Sequence, residues 1–173
     1  VHRDIKPANL YLTRLGVEHD FVKVLDFGLV RHEDRSQAAT LLTREAGIVG
    51  TPAYMAPEAI VGEGDIDRRA DVYAVGCVAY FLLTGRQVFG NDTGMKQLMR
   101  HVQDTPVPPS RLAPHHVPRA LDDLVMACLQ KDPRDRPQSA DALYEMAAVC
   151  LTRDSWDHAD ARRWWEAHLP TAG

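Results

Sequence analysis

Several residue types are scarce in this chain of 173 residues, and each scarcity excludes a class of protein. Only three cysteines occur, Cys77, Cys128 and Cys150. Their uneven spacing among apolar neighbours fits reduced core thiols better than a disulfide framework or a metal knuckle. Lysine occurs only four times and the net charge is −4, which argues against the basic face of a nucleic-acid-binding protein. We therefore expect a cytoplasmic setting and no nucleic-acid partner.

Long apolar runs are also missing. The longest, residues 72–83, is shorter than the roughly 20 residues that a transmembrane helix needs, so we expect no membrane span in this segment. Hydrophobic residues still make up 45% of the chain and charged residues 25%, the composition of one globular domain with a sizeable core. The first residue is Val1 and not methionine, so a signal, a membrane anchor or a leading domain would lie outside this sequence.

The first third of the chain predicts a hairpin and a loop. Residues 10–12 and 22–25 are β-prone and flank a polar stretch with Gly16, which indicates two strands joined by a long loop over residues 15–21. Residues 29–53 then lose all periodicity. A stretch of that length indicates a surface loop of the kind usually kept for function.

The remainder predicts helices. Residues 70–84 are apolar on nearly every face and end at Gly85, which indicates a central helix surrounded by others. Amphipathic spacing predicts its neighbours over residues 95–103, 119–130 and 139–150. A tail helix is predicted over residues 154–168, with Asp154 or Ser155 as its cap and with Trp156, Trp164 and Trp165 as docking groups.

Three short motifs carry side chains suited to chemistry. His2-Arg3-Asp4 is followed by Asn9, and the second predicted strand leads directly into Asp26-Phe27-Gly28. A hairpin brings its two open ends together, so the Asn9 amide and the Asp26 carboxylate should arrive side by side. Mg²⁺ takes such oxygen ligands together with phosphate oxygens. On the same loop Asp4 can accept a hydroxyl proton, and Lys6 can meet phosphate charge.

These residues, H-R-D-I-K-P-A-N, then D-F-G and then Ala56-Pro57-Glu58, resemble the catalytic loop, the metal-binding motif and the end of the activation segment of the protein kinase family. Each motif alone is weak, but all three in this order are not expected by chance. The resemblance covers residues 1 to roughly 150. It implies a mainly helical α+β fold with a short β-hairpin, the C-terminal lobe of a kinase domain with the N-terminal lobe absent. Residues 151–173 would form a helical tail.

The resemblance also implies a function. Asp4 is expected to be the catalytic base, Lys6 to contact the transferred phosphate of ATP, and Asn9 with Asp26 to hold Mg²⁺. Lys6, two residues after the aspartate, is similar to the lysine of serine/threonine kinases, and Gly50-Thr51-Pro52 is similar to their substrate-facing segment. The expected reaction is transfer of the γ-phosphoryl group of ATP to serine or threonine hydroxyls of a protein substrate. The style of residues 50–58 is similar to bacterial members of the family.

Regulatory and supporting residues follow from the same resemblance. Arg3 is expected to bind a phosphorylated loop residue, for which Thr40, Thr43 and Ser36 all stay open. Glu58 and Arg136 match the buried ion pair of the family, and Asp71 matches the acid that braces the catalytic loop. The expected structural supports are therefore His2, Gly28, Thr51, Glu58, Asp71 and Arg136.

One departure from the family pattern leaves an alternative open. No G-x-G-x-x-G motif occurs, and no lysine precedes Lys6 that could pair with the ATP phosphates. The alternative to an enzyme is a pseudokinase or truncated lobe that only binds other proteins. The intact Asp4, Asn9 and Asp26 favour the enzyme, although we expect the chain by itself to be inactive.

Overall fold

The computed structural model describes residues 1–25, 52–62, 65–90, 92, 94–151 and 156–169. Within these ranges the chain forms one two-stranded antiparallel sheet and six α-helices, so the predicted mainly helical chain with a short hairpin is confirmed. The strands are β1, Leu10–Leu15, and β2, Glu18–Val24. The helices are α1, Pro57–Val61; α2, Arg68–Thr84; α3, Met95–Gln103; α4, Arg119–Cys128; α5, Ala140–Ala148; and α6, His158–His168.

The hairpin corrects one prediction. β1 and β2 continue pairing until Leu15 lies opposite Glu18, and only Gly16 and Val17 form the turn between them. Gly16 has φ of 61°, a value that glycine adopts without steric cost. The predicted long loop over residues 15–21 is therefore wrong. The error arose because the strands of this hairpin have an exposed face, so their polar residues resemble a loop in the sequence.

The central helix α2 has the character that the sequence predicted. It begins after Asp67, whose side chain accepts the backbone N–H of Arg69, and it ends at Gly85, which has φ of 68°. α2 also approaches α4 very closely at Gly76. A Cβ atom at Gly76 would lie only 2.6 Å from Cβ of Cys128, so glycine is required there.

The core lies between α2, α4 and the segment after α2. Its innermost side chains are almost completely shielded from solvent: Tyr73, Cys77, Tyr80, Phe89, Val125 and Leu129. All three cysteines are free thiols, two of them buried. Burial raises the pKa of the Cys77 thiol and raises that of Cys128 to about 12, so both are unreactive core residues. Among the described helices, none combines the length and apolar character that crossing a bilayer requires.

The remaining helices differ from the predictions mainly at their ends. α3 has the predicted bounds, whereas α4 and α5 are each shorter than their predicted ranges. Ser139 is the cap of α5, where its hydroxyl accepts the N–H of Ala142. α6 begins at His158 and not at residue 154, because Asp157 and Asp160 form a reciprocal capping box there. The predicted caps at residues 154 and 155 lie outside the described residues.

Candidate active site

The loop before β1 brings three predicted site residues into contact. A 3₁₀ turn, Pro7–Asn9, folds the chain back so that Asn9 lies next to Asp4. The Asn9 amide nitrogen donates to the backbone oxygen and to Oδ2 of Asp4, both at 2.8 Å. Lys6 Nζ lies 3.0 Å from Oδ1 and 2.8 Å from Oδ2 of the same carboxylate. Asp4 is thus held between an ammonium group and an amide.

The Asp4 carboxylate is fixed and still reachable. Its side chain is 38% exposed, although both carboxylate oxygens accept hydrogen bonds, whereas Asn9 is only 6% exposed. A carboxylate with this exposure can take a proton from a hydroxyl group that approaches from solvent. The adjacent Lys6 ammonium places a positive charge within the same few ångströms.

Asp71, in the first turn of α2, holds the start of this loop. Its Oδ2 accepts the backbone N–H of His2 at 2.7 Å, and its Oδ1 accepts that of Arg3 at 2.8 Å. Arg3 has φ of 67°, a left-handed conformation that costs an ordinary residue about 1 kcal/mol or more. The two charge-assisted hydrogen bonds offset that cost. Asp4 N–H then donates to Nδ1 of His2 at 3.3 Å, which ties the loop to itself.

Backbone pairing joins the first and last residues of the hairpin next to Asn9. Leu10 pairs with Val24, and the backbone N–H of Leu25 donates to the backbone oxygen of Asn9 at 2.9 Å. Asn9 therefore lies opposite the residue that immediately precedes Asp26. Asp26 itself lies outside the described residues, as do four other predicted site residues and one candidate acceptor: Gly28, Thr40, Thr43, Thr51 and Ser36.

Asn9 fits the part of a magnesium ligand. Its amide nitrogen is engaged twice by Asp4, which leaves the side-chain oxygen Oδ1 as the atom that the amide can offer to a cation. Mg²⁺ takes one or two protein oxygens and completes its shell with water and phosphate oxygens. In the described part of the chain, no three His, Cys, Asp or Glu residues could hold a metal ion. Asn9 therefore offers one oxygen ligand and not a complete metal site.

A buried ion pair joins α1 to the segment before α5. The guanidinium of Arg136, whose side chain is completely buried, donates to both carboxylate oxygens of Glu58 at 2.7 and 2.8 Å. Its other N–H groups donate to backbone oxygens of Arg69, Gln130 and Lys131 at 3.0, 2.7 and 2.9 Å. All five N–H groups of the guanidinium therefore have acceptors, so the charge is buried without an unmet hydrogen bond.

A histidine that the sequence analysis did not single out is buried on α3. His101 is completely shielded from solvent, and its Nδ1 lies 2.9 Å from the hydroxyl oxygen of Tyr73. Its backbone oxygen accepts a hydrogen bond from Lys131 Nζ at 2.7 Å. Burial, aided by the positive charges of Lys131 and Arg100, lowers the pKa of His101 to about 4. The only hint in the sequence is its position one turn after Leu98, on the apolar side of an amphipathic helix.

Known proteins of one family match nearly the whole chain. The family described as "Protein kinase domain" matches residues 1–146. The chain belongs to this family. It is 40% identical over 164 residues to the serine/threonine-protein kinase pkn3 of Myxococcus xanthus, and that alignment covers 94% of this chain and 30% of the relative. It is 45% identical over 152 residues to Pkn1 of the same bacterium, covering 87% and 21%.

A third relative comes from a different bacterium. The chain is 38% identical over 164 residues to the probable serine/threonine-protein kinase PknB of Corynebacterium glutamicum, covering 92% of this chain and 24% of the relative. The predicted similarity to bacterial serine/threonine kinases is therefore confirmed. The chain spans less than a third of the length of these curated relatives.

Proposed function

We propose that the protein containing this chain transfers the γ-phosphoryl group of ATP to serine or threonine hydroxyls of a protein substrate. One observation carries the proposal: the exposed carboxylate of Asp4 is held by Lys6 and Asn9, with the open end of the hairpin beside it. This arrangement supplies a proton acceptor, a positive charge and a metal-ligating oxygen at a single place.

Each residue of the site has its own role in the proposed reaction. Asp4 accepts the hydroxyl proton of the acceptor residue as its oxygen attacks the γ-phosphorus, and the bond from that phosphorus to the bridging oxygen of ADP breaks. Lys6 meets the negative charge of the phosphoryl oxygens. Asn9 and Asp26 would hold Mg²⁺, which neutralises part of the phosphate charge when it is bound. Arg3, next to the base, would pair with a phosphorylated loop residue such as Thr40, Thr43 or Ser36.

The finer assignments belong to the same proposal. Residues 1–150 form the C-terminal lobe of a kinase domain that works in the cytoplasm, and residues 151–173 form a helical tail. Glu58, Arg136, Asp71, His2, Gly28 and Thr51 support the site without touching the reacting atoms. Because the chain has no G-x-G-x-x-G motif, we assign the activity to the protein that contains the chain and expect the 173 residues alone to be inactive.

The test is an Asp4→Asn substitution in the protein as its whole gene encodes it. Asparagine keeps the shape and one hydrogen-bond acceptor, but it cannot take the proton. We expect turnover to fall by about 100-fold or more while the affinity for ATP changes by no more than about twofold. Asp123→Asn is the matched control, because Asp123 is 71% exposed on α4. Near-normal turnover of Asp4→Asn would contradict the assignment, and a wild-type protein that binds ATP without transferring phosphate would instead indicate a binding module.

A further inference from the structure

One carboxylate joins the outer part of the hairpin to the C-terminal helix. Asp20, on β2, accepts hydrogen bonds from two indole N–H groups: Trp156 Nε1 donates to Oδ2 at 2.6 Å and Trp165 Nε1 to Oδ1 at 2.7 Å. The guanidinium carbon of Arg14, on β1, lies 5.5 Å from the centre of the Trp165 ring. The two indole hydrogen bonds lower the pKa of Asp20, that from Trp165 most, so the carboxylate is ionised at neutral pH.

The backbone conformations of β2 and of the start of α6 both favour this contact. β2 has one more residue than β1 between two neighbouring pairs, Thr13 with Phe21 and Leu15 with Glu18. Asp20 lies in the resulting bulge with φ of 58°, and a bulge turns a side chain away from its regular direction. On the helix side, Trp156 directly precedes the capping box of α6, and Trp165 is only 7% exposed.

The hairpin needs support of this kind. A two-stranded hairpin is marginally stable by itself in water and gains stability when a helix packs on it. Several apolar side chains of this hairpin are more than half exposed and contribute little burial: Tyr11, Leu12, Val17 and Val22. α6 packs against β2, so it supplies the support that the strands lack.

The pairing of the strands in turn sets the geometry beside Asn9. Leu10 lies opposite Val24, and Leu25 N–H donates to Asn9 oxygen at 2.9 Å. A shift of one strand by a single residue would displace Leu25 relative to Asn9. The residues that hold the hairpin in register therefore also set which part of the second strand lies beside Asn9.

We propose that Asp20 is a positioning residue which, through Trp156 and Trp165, uses the C-terminal helix to hold the hairpin in the register that Asn9 requires. The effect on the metal site rests on the proposed function, whereas the support of the hairpin does not. The family match ends at residue 146, so α6 lies beyond it. In this proposal α6 helps to set the geometry of the site through its contact with the hairpin.

Two measurements on the whole protein test this role. Asp20→Ala should make backbone amide hydrogen exchange in residues 10–24 about tenfold faster or more, because two charge-assisted hydrogen bonds that oppose opening are lost. It should also raise the Mg²⁺ concentration that supports half-maximal ATP binding, measured by calorimetric titration, by about three- to tenfold. Trp165→Phe, which keeps an aromatic ring and removes the N–H group, should act in the same direction.

The control and the outcomes separate this role from the proposed function. Glu18→Ala removes a carboxylate from the same strand, at an exposed position beside the turn, and should change neither quantity by more than about twofold. Unchanged hydrogen exchange in Asp20→Ala would overturn the supporting role. Faster exchange with an unchanged Mg²⁺ requirement would overturn the link to the metal site. A wild-type protein that binds no ATP with Mg²⁺ would contradict the proposed function and that link, and hydrogen exchange would still decide whether α6 supports the hairpin.

Discussion

Replacing Arg136 by alanine should lower the free energy of unfolding by about 3–5 kcal/mol. The Arg136 side chain is completely buried, and the Glu58 side chain that it neutralises is only 14% exposed. The substitution leaves that carboxylate without its cation and removes the hydrogen bonds that Arg136 donates to three backbone oxygens. In a domain of this size each kcal/mol shifts the melting temperature by about 2–4 °C, so we expect a drop of roughly 6 to 20 °C.

Urea denaturation, monitored by circular dichroism, measures the free energy of unfolding. Arg134→Ala is the matched control. Arg134 makes a similar forked contact with Asp132, but its side chain is 83% exposed, so its loss should cost less than about 1 kcal/mol. Arg136→Lys keeps the charge but lacks the five fixed donors. Its loss in the free energy of unfolding should therefore lie between those of the two alanine variants. If Arg136→Ala cost no more than Arg134→Ala, the pair would not be buried in solution.

Two further substitutions test the core. The pKa of His101 falls from its ordinary 6.5 to about 4 on folding, so between those values only the unfolded chain binds the proton. The contribution of His101 to stability should therefore drop by about 3 kcal/mol as the pH falls from 7 to 4. His101→Gln, measured by denaturation at each pH, should show a shallower drop, and equal slopes would contradict the shift. Gly76→Ala should destabilise by about 1–3 kcal/mol despite its better helix propensity, because its Cβ would lie 2.6 Å from Cβ of Cys128. An unchanged or higher denaturation midpoint would show that α2 and α4 can separate.

The sequence predicted best those features that depend on local pattern. α2 and α3 were located closely because apolar spacing and the stop at Gly85 are local signals. The placement of Asp4 and Asn9 on one loop was also a local prediction, since the hydrogen bonds between them span only five residues. Family resemblance, and not the pattern itself, indicated the more distant contacts of Asp71 and Arg136.

Distant contacts that no family motif indicates escaped prediction. Asp20 is separated from Trp165 by 145 positions, and an aspartate in a polar stretch gives no sign that two indoles will bind it. The length of the hairpin was missed because the polar residues on the exposed face of its strands resemble a loop. His101 was missed because histidine is intermediate in its tendency to be buried, so its residue type does not indicate a core position.

Phosphoamino acid analysis tests the proposed kinase function most directly. The protein encoded by the whole gene is incubated with ATP labelled at the γ-phosphate, Mg²⁺ and a mixed protein substrate, and the labelled protein is hydrolysed to amino acids. We expect label on serine or threonine, lost when Mg²⁺ is chelated and reduced by about 100-fold or more in Asp4→Asn. Label on tyrosine alone, or no label from a wild-type protein that binds ATP, would contradict phosphoryl transfer to serine and threonine by this site.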